Sequence, residues 1–230
     1  MSTTIRLFGA GILSFGLAVG LLRVSPAQAQ SEQQVTINQA TRVMADLRHD
    51  PAFGNARELM HRARAVMIVP RLVKGGFFVG GEGGGGVLMT HGAAGGWSQP
   101  AFYAIGSASF GLQIGLERSE MVMFIMSQRA LDAMMTSRFK VGAGAGLAVV
   151  TLGSNVEQAT TTAAGADIVL WARSQGAYAG ISLNGSVIEP QYGDDHAYYG
   201  PGVTPSEILF SGRVVAPGAN ALVRQMDSLG

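Results

Sequence analysis

The sequence predicts an α+β fold: N-terminal helices packed on a glycine-rich, mainly antiparallel β-sheet or barrel-like core, with one inserted helix and a C-terminal helix. Three observations predict it. Apolar residues recur every three to four positions only near the start, in one short internal stretch and at the end. Between those stretches, Val, Ile, Leu and Phe alternate or run together in short blocks. Glycine supplies 33 of the 230 residues, about twice its usual share, and much of it lies inside the blocks, where it favours bulged strands and tight turns.

The first thirty residues read as a targeting segment. Arg6 precedes an apolar run from Leu7 to Leu22, and a polar stretch then ends in Ala27-Gln28-Ala29. A run of that length is short of the roughly twenty residues a bilayer span needs, and the small residues suit signal peptidase. Cleavage after Ala29 is expected. Residues 1–29 are then a signal peptide, residues 30–230 form one domain, and the location is periplasmic or secreted. Removing Arg6 and Arg23 takes the 16 basic residues to 14, against 15 acidic ones, so the mature chain is close to neutral. It has no cysteine, so neither a disulfide nor a lipid-modified cysteine can tether it.

Val35 to Arg48 places Ile37, Ala40, Met44 and Leu47 on one helical face with Val43 alongside, and Asp50-Pro51 stops it. A second helix is expected over Asn55 to Arg64, capped by Asn55, with Ala56, Leu59, Met60 and Ala63 inward. From Ala65 the period changes. AVMIVP reads as a buried strand ended by Pro70, and FYAIGSASFGLQIGLE and MVMFIM read as two more strands. Arg129 to Thr136 is a compact helix with Leu131, Met134 and Met135 inward. KVGAGAGLAVVTLG and DIVLWARSQGAYAGISLNGSVIEP continue the sheet, a polar, tyrosine-bearing segment follows, and Ala219 to Leu229 is helical behind Pro217-Gly218.

The chemical motifs thin out on inspection. Gly81-Glu82-Gly83-Gly84-Gly85-Gly86 satisfies G-x-G-x-x-G, but the dinucleotide mechanism needs that turn to open a helix, and VLMTHG follows instead. Val87 stands where a phosphate loop needs lysine, and GAGAG at Gly142 to Gly146 has the wrong spacing. Gly180-Ile181-Ser182-Leu183-Asn184 lacks the closing glycine of a nucleophile elbow. His49, His61, His91 and His196 are scattered. Asp194-Asp195-His196 is the one dense group of possible metal ligands, and a solvated polar loop is the plainer account of it. No catalytic constellation, cofactor site or metal site is assigned.

One charge feature remains. Arg42, Arg48, Arg57, Arg62, Arg64, Arg71 and Lys74 face only Asp46, Asp50 and Glu58 within the same stretch. That basic, amphipathic stretch suits an anionic membrane, although an ordinary solvated helix face would look the same. Nucleic acid is a poorer fit, because the charge is local and the compartment is wrong.

Four blocks in order carry a resemblance: ARAVMIVPRLVKGGFFVGGEGGGGVLM, WSQPAFYAIGSASFGLQIGLERSEMVMFIMSQRALDAM, SQGAYAGISLNGSVIEPQ and YYGPGVTPSEILFSG. Together they resemble the SYLF family, also called the Ysc84 actin-binding domain family, from about Val35 to the C-terminus. The most specific parts are Val73-Lys74-Gly75-Gly76-Phe77, Gly180-Ile181-Ser182-Leu183 with Gly185-Ser186, and Tyr199-Gly200 followed by Glu207-Ile208-Leu209. The resemblance implies a lipid-binding module rather than an enzyme. Eukaryotic members bind phosphoinositides through a lysine-rich amphipathic region, and some bind actin. Bacterial exported members interact with phospholipid, and the glycines belong to the family's β core.

Here the positive charge is carried almost wholly by arginine, and an exported bacterial-type protein does not meet actin. The expected function is therefore non-catalytic, peripheral association with anionic phospholipid, with Arg57, Arg62, Arg64, Arg71 and Lys74 contacting headgroups. Of these, Lys74 matches the family's Lys-Gly-Phe-like step, and the arginines follow from charge. Two alternatives stay open. One is an envelope interaction protein binding a protein partner through Tyr192, Tyr198 and Tyr199. The other is a metal-dependent enzyme using Asp194, Asp195 and His196.

Overall fold

The computed structural model describes residues 31–49, 56–76, 79–92, 95–110, 115–136, 138–141, 149–152, 165–174, 177–178 and 185–229. The expected signal peptide, the Asn55 cap, the Asp50-Pro51 stop, Gly142 to Gly146 and Gly180 to Asn184 lie outside the described residues.

Helix α1 spans Glu32–His49 and buries Ile37, Ala40, Val43, Met44 and Leu47, the face that the spacing predicts. It starts earlier than the apolar pattern, because Ser31 Oγ accepts the Gln34 N–H at 3.2 Å and covers an end group no helical carbonyl can reach. Glu32 in its first turn and Arg48 in its last oppose the helix dipole. A shorter helix, α2 (Ala56–Arg62), turns Leu59 and Met60 inward.

The sheet contains β1 (Ala65–Gly76), β2 (Val79–Thr90), β3 (Ala101–Phe110), β4 (Gly115–Ile125), β5 (Phe139–Lys140), β6 (Val149–Leu152), β7 (Ile168–Ser174), β8 (Ala177–Tyr178) and β9 (Val187–Pro190). Its order is β5-β9-β3-β2-β1-β4-β7-β6, with β8 on β7. Among the described residues every pair is antiparallel except β6 with β7. Helix α3 (Gln128–Met134) is inserted after β4, capped by Ser127, whose side chain accepts the Ala130 N–H. Three helices close the chain: α4 (Tyr192–Tyr199), α5 (Pro205–Phe210) and α6 (Asn220–Asp227). The expected α+β architecture is borne out.

Strand alternation divides the interior into two cores. On one face Val66, Ile68, Val87, Phe102, Val122, Phe124 and Trp171 pack under α1, α2 and α6. On the other, Met67, Val69, Leu72, Leu88, Tyr103, Met121, Met123 and Leu170 pack with α3 and α5.

Several expectations need correction. Pro70 does not end the first strand. Six residues of β1, from Ile68 to Val73, oppose five of β2, from Val87 to Gly83, so the strand carries a bulge and continues to Gly76. A proline lacks the ladder donor, and a bulge is where a sheet can spare one. FYAIGSASFGLQIGLE is not one strand, because β3 pairs β2 and β9 whereas β4 pairs β1 and β7. MVMFIM is the second half of β4 rather than a strand of its own.

The tyrosine-bearing segment is a helix, α4, and not a solvated loop. YGDDHAYY has no apolar period, so tertiary contacts hold it: Asp195 Oδ1 accepts the Phe102 N–H at 2.9 Å, and the Tyr199 hydroxyl donates to the Pro100 carbonyl at 2.7 Å. Helix α5 had a local signal that apolar periodicity passes over. Thr204 and Glu207 form a reciprocal capping box with Pro205 in the first turn.

Candidate functional site

The glycine run from Gly81 to Gly86 lies in the middle of β2, hydrogen-bonded between β1 and β3. No phosphate loop is built there. The glycines answer the bulge instead. A Cβ at Gly84 would strike the Arg71 carbonyl oxygen and lie 3.0 Å from Val69 Cγ1; one at Gly86 would strike the Ile68 carbonyl oxygen. Lacking side chains, these two positions let the bulged backbone of β1 press against β2.

The bulge re-aims Arg71. Val69 and Leu72 both face the α3 side, so Pro70 and Arg71, between them, open toward α1. There an open cleft of about 590 Å³ lies between the edge of α1 and strands β1, β4 and β7. Gln39, Arg42 and Val43 of α1 line one wall, with Asp46 one turn further along the same edge. Arg118 and Glu120 come from alternate positions of β4, and Arg173 comes from β7 opposite Glu120. Four arginines thus line the cleft with the Glu120 carboxylate, and the Asp46 carboxylate stands at its edge.

Arg173 is partly sheltered and heavily engaged. Its Nη2 lies 2.8 Å from Glu120 Oε2 and 3.3 Å from Asp46 Oδ2, and its guanidinium carbon lies 5.8 Å from the centre of the Trp171 ring. Burial works against the charge, but the hydrogen bonds and charges of Glu120 and Asp46 outweigh it and hold the group above the ordinary arginine range. Asp46 also ties α1 to β7. Arg42 and Arg71, both exposed, make no ion pair among the described residues. The arrangement can take up an anion with little rearrangement, because guanidinium groups bind phosphate and carboxylate oxygens two at a time.

The five cations chosen from sequence are not gathered at one point. Arg57 and Arg62 are exposed on the outer side of α2, where Arg62 pairs with Glu58 at 3.2 Å. Arg64 is exposed at the start of β1. Arg71 stands in the cleft, about 20 Å further along at the rise of a strand. Lys74 faces away from it, sharing the Leu72 side of the sheet, in register with Glu82 on β2 and Glu117 on β4. Burial raises the Glu82 carboxyl, Lys74 opposes that shift, and Glu117 adds to it. Arg118 and Arg173 escaped the sequence reading because they are remote from Arg71 along the chain. A usable signal was present: Arg118, Glu120, Val122 and Phe124 share one parity of a strand, with charge at one end of an apolar stripe.

Asp194, Asp195 and His196 do not converge. Asp194 Oδ1 accepts from Gln33 of α1 at 2.8 Å, Asp195 is fully buried against Phe102, and His196 is exposed. Among the described residues no group of three His, Cys, Asp or Glu side chains is placed to hold a metal ion. Tyr192 is exposed, whereas Tyr198 and Tyr199 are half-buried and meet edge to face at 4.9 Å. A second cleft, about 350 Å³, lies between Gly92–Gln99 and Ile208–Val215, with Phe210 and Val215 exposed at its border.

Comparison with known proteins places these walls among relatives. Residues 106–229 match the family model Ysc84, described as a Las17-binding protein actin regulator, and that span includes Arg118, Glu120 and Arg173. The chain is similar to the protein YSC84 of Saccharomyces cerevisiae, 29% identical over 174 residues that cover 74% of this chain and 37% of the yeast protein. It is also similar to the SH3 domain-containing YSC84-like protein 1 of Xenopus laevis, at 31% over 153 residues, covering 66% of this chain and 45% of that protein. The human protein of the same name is 28% identical, with 68% and 46% covered. The chain spans less than half the length of these relatives.

Proposed function

The chain belongs to the Ysc84 family, and from that premise we propose that it is an exported, non-catalytic protein that associates peripherally with anionic phospholipid membranes. The observation that carries this reading is the cleft in which Arg42, Arg71, Arg118 and Arg173 meet beside α1. Arg57, Arg62 and Arg64 extend positive charge along the neighbouring surface. Each cation held near an anionic leaflet contributes about 1 kcal/mol. No helix of the described residues is long and apolar enough to cross a membrane, which accords with a surface attachment by headgroup contact. The N-terminal basic lead, apolar run and Ala27-Gln28-Ala29 support export. Export is also why the actin regulation named for the family is not part of the proposal.

Co-sedimentation with neutral and with phosphatidylglycerol-rich vesicles, at low and at moderate salt, tests it. Selective binding to the anionic vesicles that weakens as salt rises is the expected result. Equal binding to both vesicle types, or none to either, overturns the proposal. In that case a protein partner becomes the better reading, and exposed Phe210 and Val215 beside the second cleft are the observation that favours it.

A further inference from the structure

We propose that the second cleft is a docking site for an extended, mostly apolar segment of another protein, which pairs along Arg213 to Val215 and carries a carboxylate opposite Arg213. The inference goes beyond the membrane reading and does not depend on it.

The segment that forms one wall is built as a strand without a partner. Gly212, at a φ of +66°, turns the chain out of α5. From there exposure alternates: Arg213 and Val215 are exposed, Val214 and Ala216 half-buried, which is the period of an extended chain. Ala216 is itself extended, at φ −126° and ψ 119°. Both ends of the segment are fixed. The Thr90 hydroxyl donates to the Leu209 carbonyl at 2.6 Å, and the Ala216 N–H donates to Gln99 Oε1 at 3.2 Å. Between them the Arg213 N–H donates to Ser211 Oγ at 3.1 Å. The N–H and carbonyl groups of Val214 and Val215 have no hydrogen-bond partner among the described residues. An extended run with open donors and acceptors is a template for a second chain to join as a strand. Its fixed ends spare the cost of ordering it on binding.

Side chains give the occupant its character. Val215 is 65% exposed and Phe210 53%, the two most exposed large apolar side chains among the described residues, and both line the cleft. No described lining residue is charged, and about 350 Å³ is room for a few apolar side chains. Charge sits beside the cleft instead. Arg213 is exposed and makes no ion pair among the described residues. Two carboxylates stand near, and backbone N–H groups hold both. Glu207 accepts the Thr204 N–H at 2.9 Å, and Asp227 accepts the Trp97 N–H at 2.9 Å. The Thr204 hydrogen bonds, helped by the Arg213 charge, keep the Glu207 carboxyl below the usual carboxylate range. Glu207 thus offsets Arg213 only at a distance, leaving its guanidinium donors to a carboxylate on the partner. A lipid surface fits less well. Hydrocarbon cannot satisfy the open backbone groups of Val214 and Val215, and a flat bilayer does not fill a cleft.

Fluorescence anisotropy with a short labelled peptide of alternating valine and glutamate tests the site. Two controls accompany it: the same peptide with lysine in place of glutamate, and the same peptide with every amide N-methylated. The parent chain is expected to bind the glutamate peptide at least about tenfold more tightly than either control. Arg213→Gln and Val215→Ser are each expected to weaken that binding several-fold. Arg71→Gln, which removes the same charge from the other cleft, leaves it unchanged. No binding of the glutamate peptide, equal affinity for either control, or binding that both substitutions leave intact overturns the proposal. Phosphatidylglycerol-rich vesicles separate it from the membrane reading. Peptide binding without any vesicle binding upholds the docking site and overturns that reading. Vesicle binding that Val215→Ser weakens, with no peptide affinity, assigns this wall to the lipid surface and overturns the docking site. Unchanged thermal unfolding of the variants separates lost binding from lost folding.

Discussion

Gly86 faces the carbonyl oxygen of Ile68 so closely that no side chain fits between them. The same holds for Gly84 against Arg71, whereas a Cβ on Gly85 would meet nothing within 4 Å. Three consecutive glycines thus have two different meanings. Gly84→Ala and Gly86→Ala are expected to force β1 and β2 apart at the bulge and to cost about 1–3 kcal/mol each, as overpacking does. Gly85→Ala should stay within about 0.5 kcal/mol of the parent, as a substitution at an open surface position does. Thermal unfolding of the three variants checks the contrast. Equal effects at all three positions would remove the bulge as the reason for the glycine run.

Asp195 supplies a pH dependence of defined sign. Its carboxyl is fully buried, one oxygen accepts the Phe102 N–H, and the other has no hydrogen-bond partner among the described residues. Burial pushes it up to about 7, against the Phe102 hydrogen bond and with help from Asp194. An acid whose folded value lies above its unfolded one takes up protons on folding between the two. Stability therefore falls as pH rises from about 4 through about 7. Asp195→Asn keeps an oxygen for Phe102 and carries no charge, so it should flatten that slope. The midpoint of unfolding, followed from pH 4 to pH 8 in both proteins, gives the comparison. A parent curve already flat over this interval would refute the assignment.

How much of this was legible in the sequence depends on the range of each interaction. The α1 face could be read from Ile37, Ala40, Val43, Met44 and Leu47, because helical periodicity is a local property. The β core could be read as glycine-rich and mainly antiparallel for the same reason. Helix α4 could not, since its support comes from Phe102 and Pro100, far back in the chain. Pro70 misled, because a bulge is a relation between strands and leaves no mark on the strand that carries it. The site was half legible: Arg71 stood out in a basic stretch, but its partners Arg118 and Arg173 are brought to it only by the order β1-β4-β7.

Glu120 is expected to restrain binding in the cleft. Glu120→Gln keeps a carbonyl oxygen near Arg173 and removes the one negative charge among the lining residues, while Asp46 still holds the guanidinium from α1. One unit charge at about 4 Å in a water-like medium corresponds to about 1 kcal/mol, or about fivefold in affinity. Phosphatidylglycerol-rich vesicles should therefore bind the variant about fivefold more tightly, and the advantage should shrink as salt rises. Weaker binding would mean that Glu120 holds Arg173 in its productive position rather than competing for it.

Arg71 and Lys74 are three residues apart and lie on opposite faces of the sheet, so they predict opposite outcomes in one assay. Arg71 opens into the cleft beside α1. Lys74 lies in register between Glu82 and Glu117 on the far face, where two carboxylates already balance it. Arg71→Gln should weaken binding to phosphatidylglycerol-rich vesicles by about fivefold, the contribution of one cation near an anionic surface. Lys74→Gln should leave that binding nearly unchanged, and its effect should fall on Glu82, whose carboxyl rises further once the opposing charge is gone. Because both substitutions remove one positive charge, a purely charge-counting attachment would weaken equally in the two variants. Equal losses would show that the membrane senses the protein's net charge, and unequal losses that it meets the α1 face.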